Sequence, residues 1–144
     1  MKISIRNLSS QALPISYGAA KKLIRKILPC LGKSKQPEEW LLGIVFLNDT
    51  RIKLLNQKYL KANRPTDVLV FNYGQNTADL AISLESAKRN AKFYKASLKK
   101  ELVRYIIHGL LHLYGYDDRS PKDKKIMFKH QEQILNQIIH VNSR

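Results

Sequence analysis

"LKKELVRYIIHGLLHLYGYDD", residues 98–118, decides how the chain reads. Leu98, Leu102, Val103, Ile106, Ile107, Leu110, Leu111 and Leu113 cover most sides of a helix, the pattern of a central, buried element. Ser97 stands where a helix cap belongs, and Gly115 where a left-handed residue would end the helix. His108 and His112 are four apart, so their rings leave one face a turn apart. Two imidazoles in a dry core each need a hydrogen-bond partner, and a shared cation in a cleft beside the core would satisfy both. A chain turning back at Gly115 makes Asp118 a candidate third ligand, its carboxylate oxygen reaching a metal at roughly 2.0–2.2 Å. Three protein ligands leave a position open for water, as in catalytic zinc sites. A pair of ordinary core histidines is the competing reading, and spacing alone leaves both open. A zinc protease of this layout carries glutamate directly after the first histidine as general base. Here that residue is Gly109, which cannot move a proton, so amide hydrolysis by that route is not expected.

Outward from this helix the pattern alternates. "MKISIRN" at the N-terminus reads as a short strand, and 15–28 as a helix with Ala20, Leu23, Ile24, Ile27 and Leu28 inward, ended by Pro29 and Gly32. "WLLGIVFL", 40–47, reads as a buried strand. Asp49 or Thr50 is expected to cap a helix with Ile52, Leu55 and Tyr59 on one side. "DVLVFNY" and "DLAISL" are two further strands, followed by a helix from about Glu85. Ser120 and Pro121 open a last helix running to about Ile139, with Met127, Ile134, Leu135 and Ile138 inward. This order predicts one α/β domain over residues 1–144: a layer structure with a small mixed sheet packed against helices and the candidate metal site on the central helix.

Charge narrows the partners. Lys and Arg number 26 against 11 Asp and Glu, a formal net charge of +15 on 144 residues. Such a chain is drawn to polyanions, and nucleic acid is the expected partner. A single cysteine, Cys30, rules out an internal disulfide and a cysteine-based zinc cluster, in keeping with a reducing cytoplasm. The N-terminal stretch is too polar for a signal peptide, and no apolar run approaches the roughly 20 residues that span a bilayer.

The histidine segment resembles the YbeY family signature HGxLHLxGYDH, matching every fixed position but the last, where Asp118 replaces histidine. "TDVLVF", 66–71, resembles the family's TDVLSF block, and "ADLAIS", 78–83, a block that usually begins GD. The resemblance covers roughly residues 40–120. It implies an α/β fold, one Zn2+ per chain held by His108, His112 and Asp118, and single-strand-selective endoribonuclease activity. That activity would act on rRNA 3′ and 5′ ends and in ribosome quality control, with the ribosome or ribosomal proteins as partners. The family carries an arginine after a tyrosine ahead of the TDV strand; here Tyr59 is followed by Leu60, and Lys61 or Arg64 are the nearby candidate phosphate-binding cations. The changed ligand and the absent arginine leave an alternative: an rRNA- or ribosome-binding maturation factor with little or no nuclease activity.

The remaining candidates have plainer readings beside functional ones. Asp67 and Asp79 are read as turn or cap residues at strand starts, and Thr66 as a substrate contact or the first strand residue. Tyr114 and Tyr116 either stack on a base or pack around the ligand loop. Cys30 is read as a small buried filler, and His130 and His140 as solvated on the last helix. Lys21, Lys22, Arg25 and Lys26 form either a phosphate track or a solvated face.

Overall fold

Period-two alternation builds the sheet, because successive side chains of a strand point to opposite faces. The computed structural model of the protein describes residues 2–32, 40–60 and 66–142, with backbone alone for Leu60 and 140–142. Strands β1 (Lys2–Asn7), β2 (Leu41–Leu47), β3 (Val68–Gly74) and β4 (Thr77–Ser83) form a sheet of order β1-β2-β4-β3. β1, β2 and β4 are mutually parallel along the ladder, and β3 runs antiparallel to β4. The expected mixed sheet is therefore present. The β3–β4 hairpin turns through Gln75 and Asn76, both at positive φ (50° and 61°), as the tight primed turns require.

The two faces of the sheet carry different loads. Leu42, Ile44 and Phe46 of β2, with Ala78, Leu80 and Ile82 of β4, enter the main core. That core is completed by α1 (Tyr17–Ile27), α3 (Leu84–Phe93), α4 (Leu98–Leu113) and α5 (Pro121–Asn142). Leu47, Leu69 and Ala81 point the other way, where Ile52 of α2 (Asp49–Leu60) covers them with help from Leu55 and Phe71. Each fully buried leucine or isoleucine contributes about 1.5–3 kcal/mol. The α1 helix passes into a short 3-10 turn, Leu28–Leu31, before Gly32, so Pro29 tightens the helix end rather than breaking it. The first turn of α2 is organised by the Asn48 carbonyl, which accepts from the amides of Arg51 and Ile52. Asp49 reaches elsewhere: it accepts from the Ser83 hydroxyl and pairs with Arg89. Among the described residues no helix is long and apolar enough to cross a membrane.

Gly109 holds α4 against the sheet. A Cβ there would lie 3.0 Å from Val68 Cγ1 and 3.1 Å from Leu80 Cδ1. The absent side chain thus has a packing reason, close approach of α4 to β3 and β4, independent of the missing protease glutamate. Gly109→Val is expected to lose about 1–3 kcal/mol through overpacking, despite valine's slightly better helix propensity. Urea unfolding of the two proteins measures the difference.

Candidate metal centre

Ten of the sixteen residues of α4 are buried, and Arg104, His108 and His112 form a half-buried stripe at spacing four. That stripe faces a cleft beside α5. Ser97 caps the helix, its hydroxyl accepting from the Lys100 amide at 3.1 Å. At the other end Gly115 takes φ +97°, the Gly115 amide donates to the His112 carbonyl, and the Tyr116 amide donates to the Leu111 carbonyl. This pair of bonds is the Schellman stop that glycine favours. It folds the chain back over the last turn and brings Asp118 to the histidines.

The three ligand atoms converge. His108 Nε2 and His112 Nε2 are 3.2 Å apart, His112 Nε2 is 3.4 Å from Asp118 Oδ2, and His108 Nε2 is 4.0 Å from the same oxygen. Tetrahedral zinc with bonds of about 2.1 Å separates its ligand atoms by about 3.4 Å, so the triangle fits a metal of that size. The outer nitrogens explain why the inner ones point inward. His108 Nδ1 lies 2.7 Å from Gln131 Oε1, and His112 Nδ1 lies 3.1 Å from the Tyr116 carbonyl oxygen. Both oxygens can only accept, so each neutral ring carries its proton on Nδ1 and a lone pair on Nε2. The amide of Gln131 is oriented in turn by donation from Nε2 to Glu132 at 3.2 Å. In that tautomer two Nε2 lone pairs and a carboxylate oxygen converge on one point, an arrangement that suits a shared cation. Burial pushes the His108 imidazolium pKa down, aided by the neighbouring His112 and opposed by Gln131 and Asp118, which favours the neutral ligand form.

Two hollows open from this centre. One, of about 440 Å³, is lined by Asp118, Pro121, Lys124, Lys125, Phe128 and His108. The other, of about 540 Å³, shares His108, Phe128 and Gln131 with the first and is lined as well by Asp67, Asn90, Tyr94, Tyr105 and Glu132. In its wall Arg104 bonds to Glu132 through Nε and Nη2 at 3.0 Å each and to buried Glu101 through Nη1. Burial opposes the Arg104 charge, but the bonds to Glu132 and Glu101 outweigh it and raise the guanidinium pKa. The Tyr105 hydroxyl, pushed up to about 12 mainly by burial, lies 3.2 Å from Ser86 Oγ and also bonds Asn90.

The structure sorts the sequence candidates. His108, His112 and Asp118 come together. Lys61 and Arg64 lie outside the described residues. Thr66 and Asp67 line the larger hollow, and Asp67 accepts from Ser86 rather than capping its own strand. Asp79 stands inside β4, not at its start, and accepts from the Tyr73 hydroxyl at 2.9 Å. Tyr114 and Tyr116 pack against the core. Cys30 is half-buried, its thiol 3.4 Å from the Lys26 carbonyl. His130 is not solvated as expected: its ring packs 5.2 Å from Tyr116 and its Nε2 is buried, because α5 closes over the ligand loop. The side chain of His140 lies outside the described residues. Lys22, Arg25 and Lys26 are exposed and Lys21 half-buried. Gln131, Lys124 and Lys125 had no signal beside the histidines in sequence, being on a separate helix, whereas Arg104 was detectable four residues before His108.

The chain matches the family described as Endoribonuclease YbeY over residues 4–139. It is 39% identical over 105 residues to Endoribonuclease YbeY of Myxococcus xanthus, covering 67% of this chain but only 36% of that protein. It thus spans about a third of that relative's length. To Endoribonuclease YbeY of Pelotomaculum thermopropionicum it is 33% identical over 132 residues, 84% of this chain and 85% of that one. The solution structure of TM1509 from Thermotoga maritima superposes with a TM-score of 0.59 at 27% identity, covering 94% of this chain and 88% of that one.

Proposed function

The chain belongs to the endoribonuclease YbeY family, and from that membership we propose a metal-dependent endoribonuclease selective for single-stranded RNA. Its substrate is rRNA, whose 3′ and 5′ ends it matures, and its setting is ribosome quality control in the cytoplasm, with the ribosome or ribosomal proteins as partners. One Zn2+ per chain is held by His108, His112 and Asp118. The observation that carries this reading is the convergence of two imidazole nitrogens and a carboxylate oxygen on one point, with the outer nitrogen of each ring facing an oxygen acceptor. When bound, the cation supplies a Lewis acid and lowers the pKa of a water toward about 7.

The protein's own groups do the rest. Gln131 and the Tyr116 carbonyl hold both rings in the tautomer that offers Nε2, as outer partners of metal ligands do. Exposed Lys124 and Lys125, in the hollow that Asp118 lines, offer cations to the phosphate. Arg104, bonded to two carboxylates, is not free to serve in that way. The deciding experiment pairs metal content of purified protein with cleavage of single-stranded and duplex RNA, with and without chelator. Zinc near one per chain and chelator-sensitive cleavage of the single strand are expected. Binding without cleavage would favour the second reading, a maturation factor, which the Leu60 position also favours.

The +15 charge adds an expected result for binding. Log affinity for single-stranded RNA falls linearly with log salt, at about −0.7 per phosphate contact. A titration at several salt concentrations measures the slope, and a flat line would remove the electrostatic contribution.

A further inference from the structure

The larger hollow is unlike the rest of this basic molecule. Its walls carry the carboxylates of Asp67, Glu101 and Glu132 against the cations of Lys100 and Arg104, and Arg104 is already bonded to two of the three carboxylates. On a chain of formal charge +15 this is a locally acidic recess. A phosphate entering it meets an excess of like charge, whereas a flat, uncharged group with donor edges does not. Two aromatic rings on different elements stand largely in water: Phe128 of α5 is 59% exposed and Tyr94, at the end of α3, is 66% exposed. Both line the hollow, and neither belongs to the core. Large rings left in solvent beside a polar recess are the usual platform on which nucleic-acid bases stack. The volume, about 540 Å³, lies in the roughly 300–1,000 Å³ range of ligand sites. Phe128 lines both this recess and the lysine-bearing hollow beside Asp118, so one strand can pass from one to the other over the ring.

We infer that this recess is a nucleobase subsite. It takes the base next to the phosphate held at the His108–His112–Asp118 centre, stacked on Phe128 or Tyr94. Bases with an exocyclic amino group are favoured over uracil. Asp67 is the exposed acceptor on its wall, with Oδ1 already engaged by Ser86, so an amino donor finds a partner there. Uracil offers a single N3–H donor flanked by two carbonyl oxygens that would face the carboxylates, so it is held less well than a base with an amino group. The inference rests on the single-stranded RNA reading above and adds which part of the nucleotide goes where.

The test uses the protein as purified and labelled eight-residue strands, each checked on a gel after titration to be intact: 2′-O-methyl oligo-A, 2′-O-methyl oligo-U and an abasic phosphodiester of equal length. Stacking on one ring predicts a roughly five- to hundredfold preference for oligo-A over the abasic strand, with oligo-U weaker than oligo-A. Phe128→Ala is expected to remove most of that preference, bringing oligo-A affinity down toward that of the abasic strand. Tyr94→Ala is the second variant, and circular dichroism checks that both fold. Equal binding of all three strands by the parent would overturn the subsite, as would a preference retained in both variants. Cleavage of unmodified RNA is scored separately. Its absence alongside an intact base preference supports the subsite and counts only against the nuclease reading.

Discussion

Replacing His112 by alanine is expected to abolish stabilisation by zinc. A ligand that binds only the folded state adds about 2.7 kcal/mol at a hundredfold excess over its Kd, roughly 10 °C in Tm for a domain of this size. Without metal the same variant is expected to lie close to the parent in stability. The parent then holds two Nε2 atoms and a carboxylate oxygen within 3.2–4.0 Å of one another without the cation that suits them, and the substitution relaxes that crowding as it removes the bond to the Tyr116 carbonyl. A pair of ordinary core histidines predicts the reverse: a loss without metal and no protection by zinc in either protein. Melting curves with and without zinc distinguish the two, beside metal content per chain and RNA cleavage, which His112→Ala should also lose. His130→Ala is a poor neutral control because the ring packs on Tyr116; an exposed position such as Lys22 serves better.

Arg104→Ala should cause the largest stability change. Glu101 is 2% exposed and bonds to Arg104, which also bonds to Glu132 through both of its carboxylate oxygens. Removing the guanidinium leaves a buried carboxylate without its counter-charge, a loss of about 3–5 kcal/mol. The intact cluster itself contributes far less, since all three groups were desolvated to form it. The double variant Arg104→Ala/Glu101→Gln should therefore recover much of the loss, because a neutral amide no longer needs the cation. Denaturant unfolding of parent, single and double variants provides the measurement. A single-variant loss under 1 kcal/mol would mean that water reaches Glu101 and that the cluster is not buried in the physical sense. The substitution bears on the site as well: Glu132 orients Gln131, and Gln131 holds the tautomer of His108.

Local rules made most of the scaffold legible. Alternation in "MKISIRN" placed β1, since a strand with one face in the core repeats every two residues, and the run of bulky apolar residues at 40–47 placed β2 as a buried strand. The all-round apolar pattern of 98–113 placed α4 at the centre. Ser97, Ser120 and Gly115 mark helix ends through bonds spanning a few residues, so their chemistry is visible in a short window. The two histidine ligands were legible for the same reason, because four residues make one turn. Asp49 shows where that reasoning stops. Its type and position suit a cap, yet a hydroxyl and a guanidinium 34 and 40 residues away hold its carboxylate instead.

By itself, then, the sequence determined the α/β class, the central helix, the spacing of His108 and His112, and the charge that draws the chain to a polyanion. Each follows from backbone periodicity, from bonds a few residues long, or from a sum over residues that no fold can alter. Tertiary structure alone decided which nitrogen His108 presents. Gln131 is 23 residues from His108 and meets it only because α5 packs on α4. The same packing placed Lys124 and Lys125 beside Asp118, bonded Arg104 to Glu132, and left Phe128 between the two hollows. A helix pattern states which face is apolar; which polar groups of another helix come to face it is settled when those apolar faces meet, and on that meeting the chemistry of this cleft depends.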